Sequence, residues 1–218
     1  MPLKTATVIG STGLIGGHLV EQLQQDSQVE TIRVLVRRPV QFPQTKVEGK
    51  LVDFTDPESF KLAIEGSSAV FCAVGTTQKK VKGDKAAYRK VDFDIPVNAA
   101  RFTAETGCPK FLLVSSVGAS SKSNNFYLKL KGEVEDTVQQ LPIKSIHIFR
   151  PSVLLGDRKE HRPGEAISKV VMRAFSFFLV GGLQKYKPVQ ARDIAAAMIK
   201  AAKKEEKGRF VYEYPQFF

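Results

Sequence analysis

A chain of 218 residues with 43% apolar and 25% charged side chains can bury a sizeable core, which excludes a disordered polymer and a disulfide-built miniprotein. Its formal charge of +11 leaves open an anionic ligand, an acidic partner or simply a solvated basic surface. Two cysteines, Cys72 and Cys108, without a CxxC pair, and three scattered histidines give no metal-ligand spacing, so no metal is expected.

From the N-terminus, short β-rich runs are predicted at Ala6–Ile9, Ile32–Val36, Lys46–Val52, Ala69–Ala73, Phe111–Val114, Ser145–Phe149 and Phe210–Tyr212. Several are apolar on both faces, as strands of a covered parallel sheet must be. Helical patterns fall between them, at Leu14–Gln25, Pro57–Glu65, Lys85–Thr106, Phe126–Leu141, Glu165–Phe178 and Asp193–Lys204, and Pro96 is expected to kink or interrupt the third. The alternation predicts an α/β fold, a Rossmann-type doubly wound parallel sheet. A charged loop, 156–164, separates this regular part from a small C-terminal elaboration, and residues 1–218 read as a single domain. The apolar stretch Ala174–Leu183 is too short to span a bilayer. With the first strand pattern starting at about Thr5, no leader is expected. Reduced thiols at Cys72 and Cys108 then point to a cytoplasmic protein.

The segment Gly10-Ser11-Thr12-Gly13-Leu14-Ile15-Gly16 follows the first strand and opens the first helix. Its GxxGxxG spacing suits a dinucleotide. The first glycine permits the tight turn, the second lets the backbone approach a pyrophosphate, and the third allows close helix–strand packing. The helix then directs its free N–H groups at the phosphates. About twenty residues on, an NAD site usually carries Asp or Glu to hold the ribose 2′-hydroxyl. Here the second strand runs into Arg37-Arg38, whose guanidinium forks match a phosphate, so NADPH is the expected cofactor. Beyond the third strand, Asp53 could accept from the adenine amino group with Phe54 against the ring, or Asp53 could cap a helix in competition with Asp56. Ala73, Val74, Gly75 and Thr76 end the fourth strand and belong at the same edge.

Tyr127 and Lys131, four residues apart on a predicted helix, share one face. An isolated tyrosine is a poor base at neutral pH. A nearby ammonium favours its phenolate, and in the reducing direction the phenol donates its proton to a carbonyl oxygen. Just before that helix the fifth strand ends in Ser115-Ser116, at the edge where open α/β sheets bind ligands. Ser116 could hold a substrate carbonyl and Ser115 the cofactor, or the roles could be exchanged. Strand-end capping is the plain alternative for both.

In their order, the glycine loop, Val74-Gly75, Ser115-Ser116 and Tyr127-x-x-x-Lys131 resemble a short-chain dehydrogenase/reductase. The likeness is more specific to an atypical branch, the Tat-interacting-protein oxidoreductases and their bacterial relatives. It is carried by the segments 71–77 (FCAVGTT), 127–135 (YLKLKGEVE) and 150–158 (RPSVLLGDR), with Arg162-Pro163-Gly164-Glu165. The resemblance implies an NADPH site with Tyr127 as proton donor or acceptor and Lys131 as its partner. It also implies that Pro151, Val153 and Leu154 lie near the nicotinamide and that Arg162 reaches a phosphate. Two departures stand out: Val74-Gly75-Thr76-Thr77 replaces the asparagine-containing motif of many members, and the interval from Ser116 to Tyr127 is short.

A basic cluster, Lys79, Lys80, Lys82, Lys85, Arg89 and Lys90, follows the fourth strand, and a second, Lys200, Lys203, Lys204 and Lys207, ends the last helix. The second suits the negative end of a helix dipole. The first could steer an anion or engage an acidic protein, whereas nucleic acid is not expected because aromatic residues are not interleaved with the charges. Phe175, Phe177, Phe178 and Tyr186 could line a substrate pocket within 156–218 or pack in the core. The expected function is NADPH-dependent oxidoreduction of a carbonyl or hydroxyl small molecule, catalysed by Tyr127, Lys131 and Ser116. The alternatives are an NADPH-sensing regulatory protein and, third, a sugar-nucleotide epimerase.

Overall fold

The computed structural model describes residues 3–42, 45–156 and 179–218. Its elements are β1 (Thr5–Ile9), α1 (Leu14–Gln25), β2 (Thr31–Val36), β3 (Val47–Leu51), α2 (Pro57–Ile64), β4 (Ala69–Cys72) and α3 (Lys85–Arg89). A π-helical turn (Lys90–Asp94) leads into α4 (Ile95–Glu105), β5 (Lys110–Val114), α5 (Phe126–Gln139) and β6 (Ser145–Phe149). A two-residue strand β7 (Leu154–Leu155), a 3₁₀ turn (Gly181–Tyr186), β8 (Val189–Gln190), α6 (Ala191–Lys203) and β9 (Gly208–Tyr212) complete the described chain.

Seven strands form one sheet in the order β3-β2-β1-β4-β5-β6-β9, and every pairing is parallel. From β1 the chain winds outward through β2 and β3, then returns to β4 on the other side of β1. That reversal opens a crevice at the C-terminal ends of β1 and β4, where ligands of such sheets bind. The period-two alternation of the strands sends Phe71, Leu112 and Phe149 to one face, against Leu19, Leu23, Ile194 and Met198 of α1 and α6. Phe111, Leu113, Ile146 and Ile148 go to the other, against Phe60, Ala99, Phe102 and Val134 of α2, α4 and α5. Covered on both sides, β4 and β6 are wholly buried; β4 is accordingly a continuous apolar run, while β6 buries Ser145 and His147 as well. The edge strand β3 is exposed along most of its length and alternates accordingly.

The helix expected over Lys85–Thr106 is present but is not one regular helix. Proline has no N–H to donate, and its ring collides with the carbonyl four residues back, here that of Asp92. The backbone answers by widening into the π-helical turn Lys90–Asp94 immediately before α4, with Pro96 in its first turn. Strands β7 and β8 and the 3₁₀ turn had no expectation attached, since two-residue strands offer no period to read. The expected helix Glu165–Phe178 lies outside the described residues, as do Arg158, Arg162, Phe175, Phe177 and Phe178.

Two polar side chains anchor the far side of the sheet. The buried Lys110 ammonium, at the start of β5, donates to the carbonyls of Ala202 and Lys204 (2.8 Å to the latter) and so caps the C-terminus of α6. On β6, His147 is fully buried, with Nε2 2.8 Å from Ser145 Oγ and Nδ1 3.0 Å from Tyr212 Oη, and its ring stacks on Phe210 and Tyr212 of β9. Burial pushes this imidazole down to about 4. A base whose folded pKa lies below its unfolded value of about 6.5 binds fewer protons in the native state, so the fold loses stability as pH falls through that interval. Between pH 7 and pH 4 this single group should cost up to about 3 kcal/mol. His147→Gln is expected to be less stable at pH 7 but to lose that part of the acid slope, which urea denaturation across the pH range would measure.

Candidate dinucleotide and active site

The first part of the site is built by contacts that only glycine allows. Gly10 has φ +90°, and a Cβ there would stand 2.6 Å from the Ala73 carbonyl oxygen, so the end of β1 lies directly on the end of β4. A Cβ on Gly16 would stand 2.0 Å from the Gly10 oxygen, which seats the first turn of α1 on the loop. Gly13 N donates to the Gly10 oxygen at 2.9 Å and forms the N-cap of α1, with no side chain claiming the helix's first N–H groups. The Ser11 hydroxyl is buried in this loop and has no hydrogen-bond partner among the described residues. Free donors at a helix N-terminus, an unpaired buried hydroxyl and a close backbone cradle fit a pyrophosphate.

Arg37 and Arg38 emerge from β2 just beyond the Ile9–Leu35 pairing, beside the glycine turn. Both are exposed, and neither has an ion-pair partner among the described residues. At the end of β3, Asp53 accepts from Thr55 N at 2.8 Å and Thr55 Oγ1 at 2.7 Å, bonds that hold its carboxyl below the usual carboxylate range. Asp56, not Asp53, caps α2, accepting from Glu58 N at 3.1 Å. Phe54 is partly buried with its ring edge-on to Phe60 at 4.8 Å.

The second part hangs on α5. Asn125 caps this helix by accepting from Leu128 N at 3.1 Å. Tyr127, Lys131 and Glu135 follow at intervals of four and line one face. A Cβ on Gly132 would stand 2.1 Å from Ser121 N, so the loop that carries Ser116 lies flat against the helix that carries Tyr127 and Lys131. Ser120 N donates to the Leu128 carbonyl at 3.1 Å across the same contact. Val117 N donates to the Pro151 carbonyl at 3.0 Å and brings the segment after β6 alongside. Farther on, Gly156 packs over the Leu14 side chain at the start of α1, and Val189 N donates to the Val153 carbonyl at 3.0 Å. The structure thus brings the glycine loop, the ends of β4 and β5, α5 and residues 151–156 to one edge of the sheet. Tyr186 is exposed on the 3₁₀ turn, and Arg162 lies outside the described residues.

The two serines differ. Ser115 is buried and donates to the buried Glu135 carboxylate, which also receives both Nε and Nη2 of Arg150. Arg150 Nη1 continues to Glu213 at 3.4 Å. Ser116 is partly exposed, and among the described residues its hydroxyl makes a 3.4 Å contact with the Val117 carbonyl. Lys131 is almost fully buried, with Nζ 3.0 Å from Asp92 Oδ1 and 5.9 Å from the Tyr127 ring centroid. Burial works against its charge, but Asp92 and Tyr127 outweigh that penalty and hold the ammonium above the usual lysine range. Cys72, nearby in β4, is fully buried and its thiol is pushed up to about 11, so it packs as a small apolar group.

Asp92, Glu135, Arg150 and Gly132 were not picked out from the sequence as members of this assembly. Only Asp92 carried a local signal: it is a carboxylate on the buried side of a helical pattern, four residues ahead of a proline.

Fold and glycine edge together define a Rossmann-type dinucleotide-binding protein. A family described as NAD(P)H-binding matches residues 10–205, and the chain belongs to it, within the Tat-interacting-protein branch of the atypical short-chain dehydrogenase/reductases. Protein HTATIP2 of Rattus norvegicus is 33% identical over 172 residues, covering 78% of this chain and 70% of that protein. The mitochondrial protein FMP52 of Candida albicans is 31% identical over 202 residues, covering 90% and 87%. Among solved structures, a UDP-N-acetylglucosamine 4-epimerase from Methanobrevibacter ruminantium superposes with a TM-score of 0.73 at 15% identity, over 98% of this chain and 77% of the other. The enzyme WbmH of Bordetella bronchiseptica, in complex with NAD+, gives 0.70 at 15%, over 97% and 75%. At such identity these structures speak for the fold alone.

One expectation is overturned. Several relatives are named as mitochondrial, which conflicts with a purely cytoplasmic protein. Two buried thiols fit either compartment. Among the described residues, no helix is long and apolar enough to cross a membrane.

Gly132→Ala tests how the serine loop is held. Overpacking at a contact made of backbone should destabilise the fold by about 2–3 kcal/mol. Binding of the nicotinamide cofactor should weaken along with it, as α5 and the serine loop part. Chemical denaturation and a binding titration on the same variant check both.

Proposed function

We propose that the protein is an NADPH-dependent oxidoreductase acting on a carbonyl or hydroxyl group of a small molecule. The observation that carries this reading is the docking at Gly132 of the Ser116 loop onto α5, the helix that carries Tyr127 and Lys131 on one face. When bound, the cofactor supplies or accepts the hydride. The chain's own residues do the rest.

Gly10, Ser11, Thr12, Gly13, Leu14 and Ile15 hold the pyrophosphate through backbone N–H groups and the free Ser11 hydroxyl. Arg37 and Arg38 receive the 2′-phosphate with donor forks that have no competing carboxylate among the described residues. Asp53 uses its exposed carboxylate for the adenine amino group, and Phe54 lies against the ring. Ala73, Val74, Gly75, Pro151, Val153 and Leu154 line the nicotinamide end, and Arg162 serves a phosphate. Ser116, whose hydroxyl is not committed, orients the substrate oxygen, while Ser115 braces Glu135. Tyr127 passes its phenolic proton to that oxygen in reduction and takes it back in oxidation. Lys131 hydrogen-bonds the nicotinamide ribose and keeps a positive charge beside Tyr127. Residues 156–218 supply the substrate side of a single domain.

A second reading is favoured by one specific feature. The basic segment is tied to the mouth of the site, because Tyr88 Oη donates to the Thr76 carbonyl at 3.3 Å and Tyr88 meets Phe126 edge-on at 5.7 Å. Cofactor-dependent docking of an acidic protein on Lys79, Lys82 and Lys85 would turn the same fold into an NADPH sensor.

Tyr127→Phe should retain NADPH binding and lose turnover by roughly a hundredfold or more on any carbonyl the parent reduces, as expected for loss of the general acid. Undiminished turnover removes Tyr127 from the mechanism. Arg37→Ala with Arg38→Ala should weaken NADPH about 10–100-fold and leave NADH nearly unchanged, since only the extra phosphate loses its donors. Competitive titration of the two cofactors measures this, and equal losses for both refute the 2′-phosphate assignment.

A further inference from the structure

Asp92 sits where three elements of the site meet. Its Oδ1 pairs with Lys131 Nζ at 3.0 Å, and its Oδ2 accepts from Thr76 N at 2.7 Å. A Cβ built on Gly75 would stand 3.5 Å from the same carboxylate, so the turn after β4 wraps around it. The residue is 1% exposed. One buried carboxylate therefore touches both the lysine of α5 and the backbone of the β4 turn, two separate stretches that reach the nicotinamide end in the function proposed for the site. Both are held from a third element, the π-helical turn that Pro96 imposes.

We propose that Asp92 is a positioning residue for cofactor binding: it fixes the Lys131 ammonium and the Gly75–Thr76 backbone in one arrangement competent to receive the nicotinamide ribose. The proposal rests on the reading of Lys131 as a cofactor contact. The physical argument is one of charge and geometry. An ammonium taken out of water without a counter-charge tends to lose its proton or move toward solvent. Around Lys131, the titratable groups are Asp92 from the π turn, Tyr127 from its own helix and Cys72 from β4. Cys72 is a neutral thiol, so among the described residues the carboxylate of Asp92 is the counter-charge paired with the ammonium. A neutral amide in its place would still accept from Thr76 N but would leave Lys131 uncompensated. The Thr76 bond matters as much, because it prevents the carboxylate from following the lysine if the latter turns toward solvent.

The role differs from that of a neutral relay residue, for the carboxylate keeps Lys131 charged while limiting how much of that charge Tyr127 feels. It also differs from a simple buried ion pair, whose replacement by apolar groups is often neutral for stability.

The test is a thermodynamic cycle on NADPH affinity, read by the cofactor's fluorescence and paired with denaturant unfolding of each protein. Asp92→Asn should weaken NADPH about tenfold, and Lys131→Met by at least as much. Combining them should add little to Lys131→Met alone, because Asp92 acts through the lysine. The alkaline limit of NADPH binding should also fall by about one pH unit in Asp92→Asn, as Lys131 gives up its proton more readily. Asp92→Glu, which keeps the charge and moves it, guards against a failure of Asp92→Asn to fold; it should remain folded and still bind NADPH several-fold more weakly. Parent-like affinity and alkaline limit in Asp92→Asn or Asp92→Glu, with only unfolding stability lowered, overturns the proposal. So does an equal loss from Asp92→Asn whether it is made in the parent or in the Lys131→Met variant. Parent-like affinity in Lys131→Met alone would instead remove the reading of Lys131 beneath it, and Asp92's role with it.

Discussion

The structure depends on one close approach, that of β1 to β4 at Gly10 and Ala73. A methyl group's worth of extra material there would collide with the Ala73 carbonyl at 2.6 Å. The contact fixes where the first helix begins, because Gly16 must in turn sit on the Gly10 oxygen. It also fixes what faces the helix, since the ends of β4 and β5 are in register with β1 through consecutive parallel pairings. The crevice at the sheet's reversal is thus a consequence of backbone packing, and side chains only furnish it.

Buried charge is handled differently inside the crevice and away from it. At the reacting end each buried charged group has a stated partner: Lys131 with Asp92, and Glu135 with Arg150 and Ser115. Away from the crevice, Lys110 is satisfied by the last carbonyls of α6. Removing either member of such a pair leaves an uncompensated charge in a low-dielectric interior, an effect far larger than loss of an exposed ion pair. The α5 helix carries two of these groups, Lys131 and Glu135, on one face, so its placement is specified by electrostatics as well as by the apolar contacts of Leu130, Val134 and Val138.

What could be read from the sequence was what is local. The glycine loop, the strand runs and the one-face spacing of Tyr127 and Lys131 all lie within a few residues of themselves, and the sheet with its family followed from them. Site membership of Asp92 was not readable, because its partners stand on β4's exit and on α5, and only the folded sheet brings these together. The proline four residues later announced a disturbance but not its form; a kink, a break and a π turn all relieve the same clash. Nor could spacing choose between Ser115 and Ser116. Neighbours in a strand point to opposite sides, and the side chosen by Ser115 was decided by Glu135, a residue on another element. The compartment was misjudged because thiol state and the pattern of the first strand bear on it only weakly.

The pairing pattern bears on what the site can accept. Arg37 and Arg38 present guanidinium groups without carboxylate partners among the described residues, beside the glycine turn, so the field there favours a ligand's anionic groups and binds them without first breaking an internal ion pair. At the other end Lys131 is already matched by Asp92, and Ser116 and Tyr127 offer hydroxyl groups. A neutral carbonyl or alcohol would meet hydrogen-bonding groups there and no standing net charge, whereas a second strongly charged group would have to disrupt the Asp92–Lys131 pair. In the proposed function, such an arrangement would hold the cofactor by its phosphate end and leave the other end to uncharged chemistry, with Tyr127 moving the proton beside the fixed Asp92–Lys131 pair.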